Sequence, residues 1–380
     1  MQKGGLFILL KKKMKLIVLI CATLFCLDID AQFHTLTLPK ASPEVKIVQQ
    51  IGVTFIEVNY HSPAVNGRDV WNNPYVIPQN GNPIPWRAGA NENTIISFDT
   101  DVKIEGQELK AGSYGFHIIP NGHEHILLLA KPDNLWGSYY LNLITDVVLR
   151  VKVKDTVSDF SERLKYEVIN QTESTCQLAL KWANRMIPFT IEVDLKQTTL
   201  EKLRYQLNGE NTYQWEAWND AALWCLHNNT NLEEALTWAN RSLDGGYGGF
   251  AAHPSFINLA TKLEILDALS REDEFNKTLK SLNNLKYSVS EVHHMTITLI
   301  KLKQDQAAVN ILDEAVKQNE KDWGLRLYQG IAYYYLGKKS AFQAALKQCS
   351  KICPEGFKTR LEIIANQMKS GEYQFPQRKS

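Results

Sequence analysis

The stretch Gly330-Ile331-Ala332-Tyr333-Tyr334-Tyr335-Leu336-Gly337-Lys338, followed by Ala341, Ala344, Ala345 and Pro354, decides how the second half of the chain is read. Its apolar residues fall at helical steps and stop at a Leu-Gly pair. The pattern predicts a helix ending at Leu336-Gly337, a tight turn, a second helix carrying alanines, and a proline stop. Alanine at three- and four-residue steps lets two helices approach closely. Such a pair hides its apolar stripe only by stacking on another pair, so further copies are expected. Three looser ones precede it, at 218–243, 256–282 and 292–316. Ala308 and Ala341, in the last two second helices, stand 33 residues apart. Leu223, Leu226, Leu232, Ala235, Leu236, Ala239 and Leu243 keep the helical step in the first copy, and Gly245-Gly246-Tyr247-Gly248-Gly249 marks a longer loop.

This arrangement resembles the tetratricopeptide repeat, whose period is about 34 residues. The resemblance implies an α-helical solenoid over residues 200–375, with a curved surface suited to a protein or peptide partner. Trp215, Trp218, Trp224 and Trp238 read as core filling in the first copy. An irregular helical bundle with the same periodicity is the plainer alternative.

Residues 32–195 read differently. Runs such as Ile95-Ile96-Ser97-Phe98, Gly115-Phe116-His117-Ile118-Ile119 and 125–130 are rich in strand formers. Glu105-Gly106, Ala111-Gly112 and Asn121-Gly122 punctuate them as turns. Val147 to Val153 and Phe189 to Val193 alternate. Many short strands with close turn signals predict an antiparallel β-sandwich or barrel. The expected fold is therefore α+β in two domains, a β domain followed by a helical-repeat solenoid. Residues 62–93 interrupt the strands with Pro63, Pro74, Pro78, Pro83 and Pro85. A loop of that length inside a domain is commonly functional.

Composition supports two ordinary domains: 380 residues, 44% hydrophobic and 22% charged. Lys+Arg number 42 against Asp+Glu 41, which leaves no basic excess for nucleic acid. Lys11, Lys12, Lys13 and Lys15 precede an apolar run from Leu16 to Leu27, and Ala31 follows. This is the pattern of a cleaved signal peptide over residues 1–31, too short for a spanning helix. It predicts a secreted or periplasmic protein, with no transmembrane segment after cleavage and a net charge of about −2. Four cysteines then remain. Cys349 and Cys353, at i and i+4, form either a strained bond or, as the plainer reading, two buried thiols.

The loop and its flanks carry the most specific text. Tyr60-His61-Ser62-Pro63, Asn66-Gly67-Arg68, Val70-Trp71, Trp86-Arg87-Ala88-Gly89-Ala90-Asn91-Glu92-Asn93-Thr94, Leu109-Lys110-Ala111-Gly112-Ser113-Tyr114, Trp136-Gly137 and 146–150 occur in this order. Together they resemble the secreted Bacteroidetes family called domain of unknown function 2911, over roughly residues 36–193. The resemblance implies an exported β domain, often followed by tetratricopeptide-like repeats, and implies no activity. The family's usual arginine before the first proline is Ser62 in this chain. The segment at Glu124-His125-Ile126 lacks the usual tryptophan.

Arg68 and Arg87 are fixed-charge planar donors suited to carboxylate or phosphate. Tyr60, Trp86 and Asn91 add a stacking face and an amide. These five residues are the candidate ligand-binding set, for a glycan or an acidic small ligand. The alternative is that each arginine closes its loop on backbone carbonyls, or on an acid such as Glu92 or Asp146. Gly89 and Gly112 are expected at positive φ. His117, His123 and His125 lack standard metal-ligand spacing, and His293-His294 diverge on a helix. No phosphate loop, dinucleotide fingerprint or nucleophile elbow is present, and no cofactor is expected. The leading expectation is an exported, non-enzymatic binding or scaffold protein of the cell envelope. The alternative is an envelope hydrolase around the 86–94 loop using Arg87, Glu92, Asp146 and His117.

Overall fold

Ile56, Val58 and Tyr60 share one parity along an extended chain, and all three are buried, while Phe55 between Thr54 and Ile56 is exposed. In the computed structural model of the protein, which describes residues 38–78, 85–282, 285–376 and 378–379, this segment is β2 (Thr54–His61). It pairs with β1 (Glu44–Ile51) and β3 (Thr94–Phe98). Beyond β3 come β4 (Val102–Ile104), β5 (Gln107–Leu109), β6 (Gly112–Asn121), β7 (Glu124–Ala130), β8 (Val147–Lys154), β9 (Thr156–Ile169) and β10 (Thr175–Glu192). They form a six-stranded sheet ordered β1-β2-β3-β6-β7-β8 and a four-stranded sheet ordered β5-β4-β10-β9. The ladders are antiparallel throughout.

Inward residues of both sheets merge into one core. Phe116 of β6 stacks on Phe189 of β10 with centroids 5.5 Å apart, so the sheets lie face to face as a sandwich. Outward residues of β6 and β7 are buried as well: His117 and Leu128 are fully enclosed. The segment 131–146 covers this outer face and is tied to it by Ser138 bonding His117.

The helical part begins two residues after β10. Its helices are α1 (Leu195–Leu207), α2 (Trp215–His227), α3 (Leu232–Asp244), α4 (Phe256–Ala268), α5 (Glu272–Ser281), α6 (Val289–Lys301), α7 (Asp305–Gln318), α8 (Trp323–Tyr335), α9 (Lys339–Ile352) and α10 (Glu355–Ser370). Helices α2 to α9 form four antiparallel pairs in a repeat-like stack, sharing one continuous core. The first helices of the last three pairs start at residues 256, 289 and 323, steps of 33 and 34. The step from Trp215 to Phe256 is longer because a 3-10 turn, Tyr247–Gly249, intervenes. Local chemistry sets the starts. Ser255 with Asn258, and Ser288 with Glu291, form capping boxes, and Asp322 caps α8. Gly337 at φ 70° supplies the left-handed turn after Leu336. Arg204 of α1 grips Glu234 of α3 through two bonds of 2.8 and 2.7 Å, docking the flanking helix on the first pair.

One sequence expectation changes. Gly89 is not at positive φ; Ala88 (51°) and Asn91 (58°) carry the left-handed conformations of that loop. Gly89 is required by crowding instead, since a Cβ there would lie 2.7 Å from Thr94 Oγ1. Gly112 does have positive φ, at 151°. Cys176, Cys225, Cys349 and Cys353 are all buried free thiols, and Cys349 Sγ donates to Trp323 O. Among the described residues no helix is long and apolar enough to cross a membrane. The signal-peptide segment lies outside the described residues.

Close approach in the last pair makes a test. A Cβ on Gly330 of α8 would sit 2.9 Å from Leu346 Cδ2 of α9. Gly330→Val is expected to cost about 1–3 kcal/mol by overpacking. The readout is a lower thermal midpoint of ellipticity at 222 nm, which follows the helical half.

Candidate functional site

β3 pairs with β6 only as far as Phe116, leaving the next residues of β6 open on that edge. Trp86 takes the vacancy: its N donates to Ile118 O at 2.7 Å, and Ile118 N donates back to Trp86 O at 2.8 Å. Alternation then sends the two neighbours to opposite faces. Trp86 turns into the core, stacked on Trp182 at 6.0 Å and edge-on to Trp71 at 5.8 Å. Arg87 turns to the outer face, beside His117.

The Arg87 guanidinium donates to Asn91 O and stands 5.6 Å from the Tyr139 ring centre. Gly137 passes directly over it, at φ 67°, a conformation that favours glycine; a Cβ there would lie 2.5 Å from Arg87 Cζ and would displace the guanidinium. Arg68 donates from Nε to Val65 O at 3.0 Å and from Nη2 to Ala64 O at 2.6 Å. Both arginines thus close their loops on backbone carbonyls, as the plainer reading of the sequence has it. Neither has a carboxylate partner among the described residues.

Between them opens a cavity of about 500 Å³. Arg68, Trp86, Arg87, Asn91, Ser138 and Trp182 contribute to its wall, with Tyr75 and Tyr139 exposed at the mouth. No Asp or Glu is among the described lining residues. Four of the five sequence candidates therefore meet at one cavity. Tyr60 does not: it is 3% exposed in the sandwich core, edge-on to Tyr166 at 4.8 Å, and its hydroxyl accepts from Tyr166 N. Its shared parity with Ile56 and Val58 turns it inward.

Two polar atoms here are buried without a partner among the described residues, Trp182 Nε1 and His117 Nε2. Trp182, Ser138, Tyr75 and Tyr139 escaped the sequence reading. Trp182 lies almost a hundred residues from the loop, on β10. Ser138 had one local signal, the Trp136-Gly137 pair before it.

His117 Nδ1 bonds Ser138 Oγ at 2.8 Å. Burial, and then the nearby Arg87 charge, push its pKa down from 6.5 to about 4, so the ring is neutral at pH 7. The other residues of the hydrolase alternative stand elsewhere. Glu92 Oε2 is 3.3 Å from His61 Nε2, in contact but not aligned as a hydrogen bond. Asp146 accepts from Asn142 N and Thr145 Oγ1 within its own turn. Neither lines the cavity. His123 and His125 do converge, on Asp155, at 2.8 and 3.1 Å, but Arg185 occupies the same carboxylate at 3.1 Å. Among the described residues no cluster of three His, Cys, Asp or Glu is placed to hold a metal ion.

Residues 42–191 match the family model described as "Protein of unknown function (DUF2911)". The β half of this chain is thus similar to that family, and the match stops before the helices. No curated protein matches the chain. Among solved structures, one named MamA AMB-1 is similar at 16% identity, covering 42% of this chain and 83% of that chain, with a TM-score of 0.28. A score that low carries no argument, and the repeat reading rests on the helices themselves.

The His117 shift predicts a pH dependence. Its folded pKa of about 4 lies below 6.5, so between those values the unfolded chain binds a proton that the folded chain refuses. Stability contributed by the neutral ring is complete above pH 6.5 and is lost as pH falls towards 4. The loss is on the order of 3 kcal/mol. Urea denaturation across that window should show His117→Gln losing less stability on acidification than the natural chain.

Proposed function

We propose that this protein is a two-part binding protein acting outside the cytoplasm. Its β half holds a small anionic ligand, and its helical half holds a protein or peptide partner. The observation that carries the ligand reading is the charge of the cavity wall: two arginines and, among the described residues, no carboxylate. Each guanidinium spends one or two donors on neutral carbonyls and keeps its charge uncompensated. A carboxylate or phosphate supplies that compensation and accepts several donors at once. Trp86 and Trp182 give the cavity a flat apolar wall, and Tyr75 and Tyr139 a rim. An anion is therefore preferred over a neutral glycan. The export reading rests on the lysine-led apolar run before residue 28 alone. The partner reading rests on the stacked helix pairs, an architecture whose extended surface serves recognition.

The test is thermal denaturation of the full chain with inorganic phosphate and a panel of small mono- and dicarboxylates. At least one anion is expected to raise the midpoint of the natural chain. The effect should fall at least tenfold in apparent affinity in Arg87→Gln and in Arg68→Gln, and the ligand should be recovered chemically unchanged. Equal shifts in all three chains, or consumption of the ligand, would contradict a binding role for this cavity.

A further inference from the structure

Gly371, at φ 81°, ends α10 and turns the chain back. The residues that follow run along the helical stack rather than into solvent. Tyr373 packs edge-on to Tyr334 at 5.9 Å. Phe375 N donates to Tyr335 Oη at 2.7 Å, and its ring stands 6.5 Å from that of Tyr328. Arg378 lies over the Tyr335 ring, 3.6 Å from its centre, and forks onto Asp305 at 2.8 and 2.6 Å. It also donates to Ile300 O. Lys379 N donates to Lys301 O at 3.2 Å, and its ammonium pairs with Asp267.

The anchors follow the repeat. Tyr335, Lys301 and Asp267 lie at the ends of α8, α6 and α4, the first helices of three successive pairs, and are 34 residues apart each time. The described residues of the segment are thus engaged in register by equivalent positions of consecutive repeats, in irregular form, with a turn at Pro376 where Arg378 N donates to Phe375 O at 3.1 Å. This is how a solenoid surface engages a separate peptide. Its best-bonded contact is a desolvated ion pair, Arg378 and Asp305 being 14% and 8% exposed. The seating is incomplete, however. A cavity of about 520 Å³ remains beside Phe375 and Pro376, walled also by His293, Asp322, Tyr328 and Arg360.

We propose that this surface is a peptide-recognition groove, occupied in this structure by the chain's own residues 372–376 and 378–379. Its external partner is a protein segment of the same chemistry, an aromatic residue followed three positions later by arginine across a turn. The proposal deepens the partner-binding reading of the helical half and rests on it. The aromatic residue takes the Tyr328–Tyr335 face, the arginine takes Asp305, and bulk beyond the aromatic enters the unfilled cavity. A tethered segment competes at an effective concentration on the order of millimolar, so the partner must outcompete it or meet the chain when it is released.

The test uses full-length chain and a fluorescent peptide of residues 372–380. Three chains are compared: the natural one, Arg378→Ala, and one in which 372–379 is replaced by a Gly-Ser linker of equal length. Peptide affinity should rise at least tenfold in the Gly-Ser chain over the natural chain, with Arg378→Ala between them. Asp305→Lys in the Gly-Ser background should abolish binding, and a peptide with Arg378→Glu should restore it. Helical ellipticity must stay native in each chain. A natively helical Gly-Ser chain that fails to bind the peptide, or that binds it regardless of Asp305→Lys, overturns the proposal. So does a partner captured by the Gly-Ser chain that the peptide cannot displace, an outcome that leaves the wider partner-binding reading standing.

Discussion

The two-bond bridge between Trp86 and Ile118 is the constraint on which the candidate site depends. β3 stops pairing at Phe116, and one loop residue continues the ladder in its place. A loop residue held in a ladder must obey strand alternation. Trp86 is therefore fixed into the aromatic cluster with Trp71 and Trp182, while Arg87 is fixed on the opposite face with His117. Without the bridge, a Pro-rich loop would have no reason to hold a guanidinium still. With it, Gly137 can close over Arg87 and Ser138 can reach the imidazole. The covering segment 131–146 adds its own bonds to this frame, Lys131 N to Asp146 O and Asn93 N to Leu135 O.

The arginines show how a structural role can leave a side chain's charge unspent. A hydrogen bond to a carbonyl satisfies a donor and fixes the geometry, but it does not neutralise a charge. Arg68 and Arg87 are so fixed, and their charges stay unmatched by any carboxylate among the described residues. Asp155 presents the opposite case: two histidines and Arg185 converge on it, and it is spent within the fold. The contrast is the reason the proposed ligand is placed at the arginine pair and not at the histidine pair.

The helical half was legible because its signals are local: small residues at helical steps, the Leu336-Gly337 stop and a repeating period. The strands from Thr94 to Lys154 were legible through alternation and turn pairs. β9 and the first half of β10 were not. β9 carries Asp159, Glu162, Arg163, Lys165 and Glu167, so its pattern lacks a strand's apolar run. β10 shifts register at Lys181, Ala183 and Arg185, which breaks its period. The cavity wall was legible only where the loop itself supplies it. Trp182 and Ser138 arrive from distant strands and segments, and no local pattern announces a neighbour made by tertiary packing. Tyr60 could have been placed correctly, since Ile56 and Val58 already fix the inward parity of β2.

The proposed anion site is the arginine cavity, where two guanidinium charges have no carboxylate partner among the described residues. Crystals of the full chain soaked in sodium selenate, with data collected at the selenium absorption edge, test it directly. The account predicts an anomalous peak inside the cavity within hydrogen-bond reach of the Arg87 guanidinium, absent from Arg87→Gln crystals soaked identically. Selenate bound only at surface lysines, with the cavity bare, would contradict it.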